Sequence, residues 1–298
     1  MPTRAEDSQP LGRAALNTAM LLAVAVVWGA AFPAVQYALR AGLSTEAFMT
    51  LRFAVGAAGL GVLVMASRLE IRRADVWDGA RLGLLVTAIY WLQTDGLRFT
   101  TSSRSGFITG LYVIFTPMVG SLVGHRLSRR QAASAGLAVA GLYGLVGLHG
   151  DGFNRGDVET LLCAILSGVQ MVWTAHLARR NHPMVLALLQ AVVIGCCVAT
   201  MLAWRGHPWL ELTPALQPGV LLSILFCGLL ATAFCFWAQA HTQARVPPTE
   251  AAVFFALEPL FATLISVGGW VPGIQEHLGL GQWGGVALML VAALLATS

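Results

Sequence analysis

Residues 252–270 read AVFFALEPLFATLISVGGW. The stretch is apolar over the length of a membrane crossing, yet Glu258 and Pro259 stand together at its middle. A charge at the centre of a membrane helix costs about 2.5–3.5 kcal/mol on insertion scales. A proline inside a helix costs about 3 kcal/mol through a lost hydrogen bond and a steric clash. At 1.5 Å per residue, Glu258 lies roughly 14 Å into a hydrocarbon core of about 30 Å. A carboxylate at that depth has to turn away from lipid, toward protein or trapped water. Two readings stay open: a cavity-facing group that binds a substrate amine or carries a proton, and a structural group bonded to a neighbouring helix.

The rest of the chain has the same character. Of 298 residues, 57% are hydrophobic and only 11% charged, with mean hydropathy +0.72. Soluble domains carry about 25% charged residues, so the composition excludes an ordinary soluble enzyme. Ten segments are long and apolar enough to cross a bilayer, near residues 17–39, 46–67, 77–97, 104–124, 131–149, 157–178, 184–204, 218–240, 249–270 and 281–297. The expected fold is an all-α membrane protein with ten transmembrane helices. Residues 1–16 read as a polar cytoplasmic tail and the first apolar run as a retained helix, being too long for a signal peptide.

All 18 basic residues are arginine. With the N-terminus inside, twelve fall in the tail and inner gaps, five in the outer gaps, and Arg52 inside a helix. That bias places both termini in the cytoplasm; the all-arginine usage suggests a GC-rich bacterial genome, and the expected location is a bacterial inner membrane. Topology explains the net charge of +4, so no nucleic-acid partner is expected. The partners implied are a small-molecule substrate and the lipid bilayer; a monomer suffices. The five cysteines lie in apolar runs without metal-ligand spacing. No metal or cofactor is expected, and the cysteines read as buried small hydrophobes.

The chain also repeats itself. YWLQ at Tyr90–Gln93 answers FWAQ at Phe236–Gln239, and Pro117 in YVIFTPMVG answers Pro259 in FFALEPLFA. The division gives a first repeat at residues 17–149 and a second at 157–297, each with five helices. Five is odd, so the second repeat would enter the membrane inverted, with a substrate site near the midplane between the halves.

Several stretches resemble the ten-helix members of the drug/metabolite transporter superfamily built from two EamA domains. They are WGAAF at Trp28–Phe32, LRF at Leu51–Phe53, TTSSRSGFITGLYVIFTP at Thr100–Pro117 and PPTEAAVFFALEPLFATL at Pro247–Leu264. The resemblance implies an inverted-repeat carrier of small metabolites, often working outward. The chain departs from the pattern in the longer GGWVPGIQEH loop at 268–277, and in carrying Gln36 then Arg40 late in its first helix.

The candidate substrate-binding residues are Glu258, Trp28, Phe32, Gln36, Tyr90, Gln170, Trp173 and Arg52. Trp28, Phe32 and Gln36 share one helix face by their i, i+4, i+8 spacing. Aromatic faces with a few amides suit an amphipathic solute, although such faces also serve plain packing. Arg52 has two readings: snorkelling toward Glu46 or the headgroups, or a cavity cation for a substrate carboxylate. Pro117 and Pro259 are expected to kink their helices at matching depths and shape the cavity. Asp95 and Arg98 read as a solvated ion pair, His176 and His241 as boundary residues, and Trp204, Trp209, Trp270 and Trp283 as interface anchors.

The sequence has no phosphate-binding GxxxxGK[ST] loop, HExxH or GxSxG. The function expected is therefore a secondary-active or facilitative transporter, a metabolite exporter working by alternating access on amino acids or related amphipathic solutes. A multidrug or hydrophobic-cation efflux carrier is the alternative on the same residues. A non-transporting receptor and an intramembrane enzyme are the competing classes.

Overall fold

The computed structural model describes residues 11–122, 129–146, 152–205, 211–255 and 257–297. Among them there are helices, turns and one isolated bridge between Val271 and Ile274, with no strand. Six helical stretches are long and apolar enough to cross a membrane: 15–40, 45–66, 102–122, 155–178, 183–204 and 218–243.

The first helices are α1 (Leu11–Arg40), α2 (Thr45–Ala66) and α3 (Arg73–Gly96). Their turns are set by capping. Ser44 Oγ accepts from Ala47 N at the start of α2, and Asp75 accepts from the Arg72 backbone at the start of α3. This cap starts α3 four residues before the hydropathy pattern does. The apolar segment expected at 104–124 is two helices, α4 (Ser102–Gly110) and α5 (Tyr112–Leu122), followed by α6 (Arg129–Val146). α7 (Arg155–Ala178) is capped by Asn154, whose side chain accepts from Asp157 N. α8 (Pro183–Trp204) has proline in its first turn, where a missing N–H costs nothing.

A short 3₁₀ turn (Thr213–Leu216) leads into a long irregular helix. Its parts are α9 (Pro218–Leu225), a π-helical stretch (Phe226–Phe234) and α10 (Cys235–Gln243). The stretch around Glu258 is split into α11 (Pro248–Phe255) and α12 (Glu258–Val267), and α13 (Leu280–Thr297) closes the chain.

Glycines decide several crossings. A Cβ on Gly110 would lie 2.8 Å from Pro259 Cγ, and one on Gly106 would lie 3.2 Å from the Ala262 Cβ, so α4 and α12 cross nearly backbone to backbone. Gly83 meets Val193 of α8 in the same way, and Gly144 of α6 faces Gly285 of α13. Small residues permit such close approach in a bilayer, where dispersion rather than hydrophobicity holds helices together.

Of the two expected kinks, the one at Pro117 falls elsewhere. Pro117 sits inside α5, and the break in that segment comes earlier, at Leu111, whose N–H turns back to the Ile108 carbonyl in a tight turn. Pro259 is the second residue of α12, so the break precedes it. A proline tolerated in the first turn of a new helix costs far less than one in a helix interior. Cys163, Cys227 and Cys235 are buried as expected, whereas Cys196 is exposed and Cys197 half-buried on the outer side of α8. Trp204, Trp270 and Trp283 are exposed; Trp209 lies outside the described residues. His176 is exposed, and the His241 ring lies 5.5 Å from that of Trp237, tilted by 43°.

Candidate functional site

A cavity of about 70 Å³ sits among α1, α2, α3, α4–α5, α7, α10 and the α11–α12 break. Trp28, Phe32, Arg52, Tyr90, Gln170 and Glu258 all line it. Six of the eight candidates, from five separate helices, thus meet on one space.

Glu258 opens α12 and is only 6% exposed. Its Oε2 accepts a hydrogen bond from the Tyr112 hydroxyl at 3.4 Å. The first turn of a helix supplies unpaired N–H groups and the positive end of the macrodipole, which eases a buried carboxylate. On the facing helices, Arg52 is 2% exposed, so it does not snorkel out to headgroups. Its Nε donates to Thr232 Oγ1 at 2.9 Å, and its guanidinium lies 4.7 Å from the Tyr90 ring centre. A guanidinium held over an aromatic face in a desolvated site gains about 2 kcal/mol. Glu46, the partner considered for Arg52, instead accepts from Arg205 at 3.1 Å.

Trp28 donates from Nε1 to the Ala231 carbonyl at 2.9 Å. Ala231 and Thr232 both belong to the π-helical stretch. Such stretches leave carbonyls outside the regular ladder and recur at functional sites. Here the π-helical stretch anchors two residues of the cavity wall, Trp28 through the Ala231 carbonyl and Arg52 through the Thr232 hydroxyl. Gln170 donates to Thr174 at 2.9 Å and to Gln239 Oε1 at 3.3 Å, forming an amide pair across α7 and α10.

Two candidates are placed elsewhere. Gln36 donates to the Thr100 carbonyl at 2.9 Å and accepts from Ser102 Oγ at 2.9 Å, so it ties α1 to the α3–α4 turn outside the central cavity. Trp173 is half-buried and packs against the apolar cluster that includes Leu177 and Leu186, and it is not part of the cavity lining. Tyr112, Gln93, Phe236, Gln239 and Phe255 line the cavity but were not among the candidates. The internal repeat held a signal for four positions: Tyr90, Gln93, Phe236 and Gln239, paired by the YWLQ and FWAQ match, all face this space. The Tyr90 and Phe236 rings meet edge to face at 5.6 Å.

One end of the bundle is tied by charge. Asp157 accepts from Thr100 at 2.9 Å and from Arg104 at 2.5 Å, while Asp95 accepts from Thr45 at 2.8 Å and Arg155 at 2.9 Å. Asp95 is thus buried in a network, rather than forming a solvated pair with Arg98 alone. Glu276, from the 268–277 loop, caps α4 by accepting from Ser102 N at 2.8 Å. Ser44 Oγ bonds to Glu211 at the same end.

Fold and site together define a class: an all-helical membrane protein with a polar, aromatic-walled cavity among helices that break beside it. The EamA-like transporter family matches the chain over residues 17–147 and 154–298, and the chain belongs to that family. It is 31% identical over 278 residues to an "Uncharacterized transporter" of Archaeoglobus fulgidus, covering 93% of this chain and 84% of that one. It is 26% identical over 286 residues to "Uncharacterized transporter YwfM" of Bacillus subtilis, covering 93% and 92%. A solved structure titled "Crystal structure of protein" superposes with TM-score 0.69 over 95% of this chain and 96% of that one, at 18% identity, a likeness of fold. The protein is a membrane protein of a transporter family.

Proposed function

We propose that the chain is a secondary-active or facilitative exporter of small metabolites, with ten membrane crossings arranged as two inverted five-helix repeats. Both termini lie in the cytoplasm of a bacterial cell, and the two halves open the central cavity alternately to either side. The observation that carries this reading is that two residues of opposite charge type line one cavity: Glu258 at a helix break and Arg52 over Tyr90. Among the described residues, the only protein bonds at these charged ends are those from Tyr112 and to Thr232. A carboxylate and a guanidinium left facing one space are complementary to a solute carrying an ammonium and a carboxylate. Aromatic faces between them suit an apolar body. Amino acids and related amphipathic zwitterions fit this pattern.

The cavity size supports motion. About 70 Å³ accommodates a few waters, each needing roughly 10–15 Å³ on this measure. A solute pocket of about 300 Å³ or more would form only when the helices move apart. The breaks at Leu111 and before Glu258 supply places to bend, and discontinuous helices at a midplane site are a recurrent transporter device.

A thermal-shift screen of amino acids, amines and sugars on the purified protein should find a zwitterion that raises the melting temperature. Glu258→Gln should reduce flux of that solute into proteoliposomes at least tenfold with membrane insertion preserved. Undiminished flux in the Gln variant would remove Glu258 from the mechanism. A solute chemically altered after incubation would identify an enzyme instead, and binding without flux a receptor.

A further inference from the structure

The end of the bundle opposite the Asp157 network carries a hollow that the central cavity does not use. It lies between the start of α3 and the α7–α8 turn, lined by Arg72, Trp77, Asp78, Arg81, Arg180 and Asn181. The geometry points to a binding site for the phosphate of an anionic phospholipid headgroup.

The charges are sorted by depth. Asp75 is bonded by Arg72 at 2.8 Å, and Asp78 by Arg180 at 2.9 Å and Asn181 at 3.0 Å. The two aspartate side chains are 3% and 12% exposed, whereas those of their arginines are 62% and 54% exposed. The acids therefore lie beneath and hold the guanidinium groups in place, with donors left over. Each guanidinium has five N–H donors; Arg72 also bonds the Arg180 carbonyl at 3.2 Å, which fixes the two arginines side by side. Arg81 is exposed and has no ion-pair or hydrogen-bond partner among the described residues. Arg68, Arg73 and Arg179 are exposed close by in sequence, against one exposed acid, Glu70.

The surroundings select a lipid over a free anion. Trp77 is 57% exposed, with Ile71 at 46% and Val76 at 45% beside it in sequence. Tryptophan at a helix end sits at headgroup level, with its ring in the interface. The hollow thus presents guanidinium groups held over buried acids, with an aromatic rim, the chemistry of a phosphate still attached to acyl chains. Basic hollows between membrane helices hold acidic headgroups on this principle. The hollow at the other end, which Arg98 and Arg104 line, differs in that Arg104 is already committed to Asp157.

The test uses the full-length protein in detergent micelles, with native mass spectrometry counting retained lipid and a melting curve as second readout. Phosphatidylglycerol should be retained and should raise the melting temperature, whereas phosphatidylcholine at the same concentration should not. Arg81→Gln, which breaks no internal bond, should weaken phosphatidylglycerol binding roughly fivefold, and Trp77→Ala should weaken it further. Arg98→Gln should leave it unchanged. Equal retention of phosphatidylglycerol by wild type, Arg81→Gln and Trp77→Ala would overturn the assignment. So would equal stabilisation by inorganic phosphate, which would make the site one for the free anion.

Discussion

Glu258 and Arg52 face one small cavity, and each is held by a residue that sequence inspection passes over. Tyr112 donates to Glu258, and Thr232 accepts from Arg52. Thr232→Val removes the acceptor while keeping the shape, leaving a buried charged donor unpaired. That loss costs about 1–3 kcal/mol and should appear as a lower melting temperature, together with weaker binding of any carboxylate-bearing solute. Tyr112→Phe should leave the fold intact and alter solute affinity, because the ring stays and only the hydroxyl beside Glu258 goes; calorimetry with the solute from the screen checks it. The acid itself was legible in the sequence, since a carboxylate amid apolar residues has few physical excuses. The direction in which Arg52 points was not. A long side chain about 9 Å from a helix end can reach either way, and only the position of Thr232, 180 residues along the chain, decides it.

At the scale of elements, three departures from regular helix surround the cavity: the turn at Leu111, the break before Glu258 and the π-helical stretch 226–234. Irregular backbone at membrane depth persists only where protein or cavity water satisfies it. Trp28 does so for the Ala231 carbonyl. The six helical stretches long and apolar enough to cross a membrane fall within a few residues of six of the expected segments, because a bilayer demands length and hydropathy alone. The break before Glu258 was marked by Pro259, but the one in the 102–122 segment was not, because proline marks a weak point without fixing where the chain turns. In the 102–122 segment the turn falls six residues before Pro117, where Gly110 must pass Pro259. Gly110→Val should therefore disrupt the α4–α12 crossing, lowering the melting temperature and the yield of folded protein more than Gly136→Val, whose added Cβ meets nothing within 4 Å. Glu276→Ala should loosen the start of α4, read as faster hydrogen exchange at Ser102 and Ser103, because the two N–H groups lose their acceptor.

For the whole molecule, the family and its membrane character follow from composition and from motifs spread along the chain. The residues that meet at the cavity are drawn from seven separated regions, which pairwise motif reading could join only through the YWLQ and FWAQ repeat. The 268–277 loop, an oddity in the sequence, reaches the α3–α4 end as a cap and through the Arg40 bond to the Gly273 carbonyl. With one end tied in this way, the conformation described is a narrow-cavity state of a protein proposed to open at both ends in turn. Ser167 lines that cavity and can carry a reporter with little change in volume. The decisive measurement is thiol labelling of Ser167→Cys, in a background with the five native cysteines replaced, by a membrane-impermeant maleimide applied to either face of oriented vesicles. Alternating access predicts reaction from both faces, and protection by the bound solute. Reaction from one face only, or from neither, would contradict it.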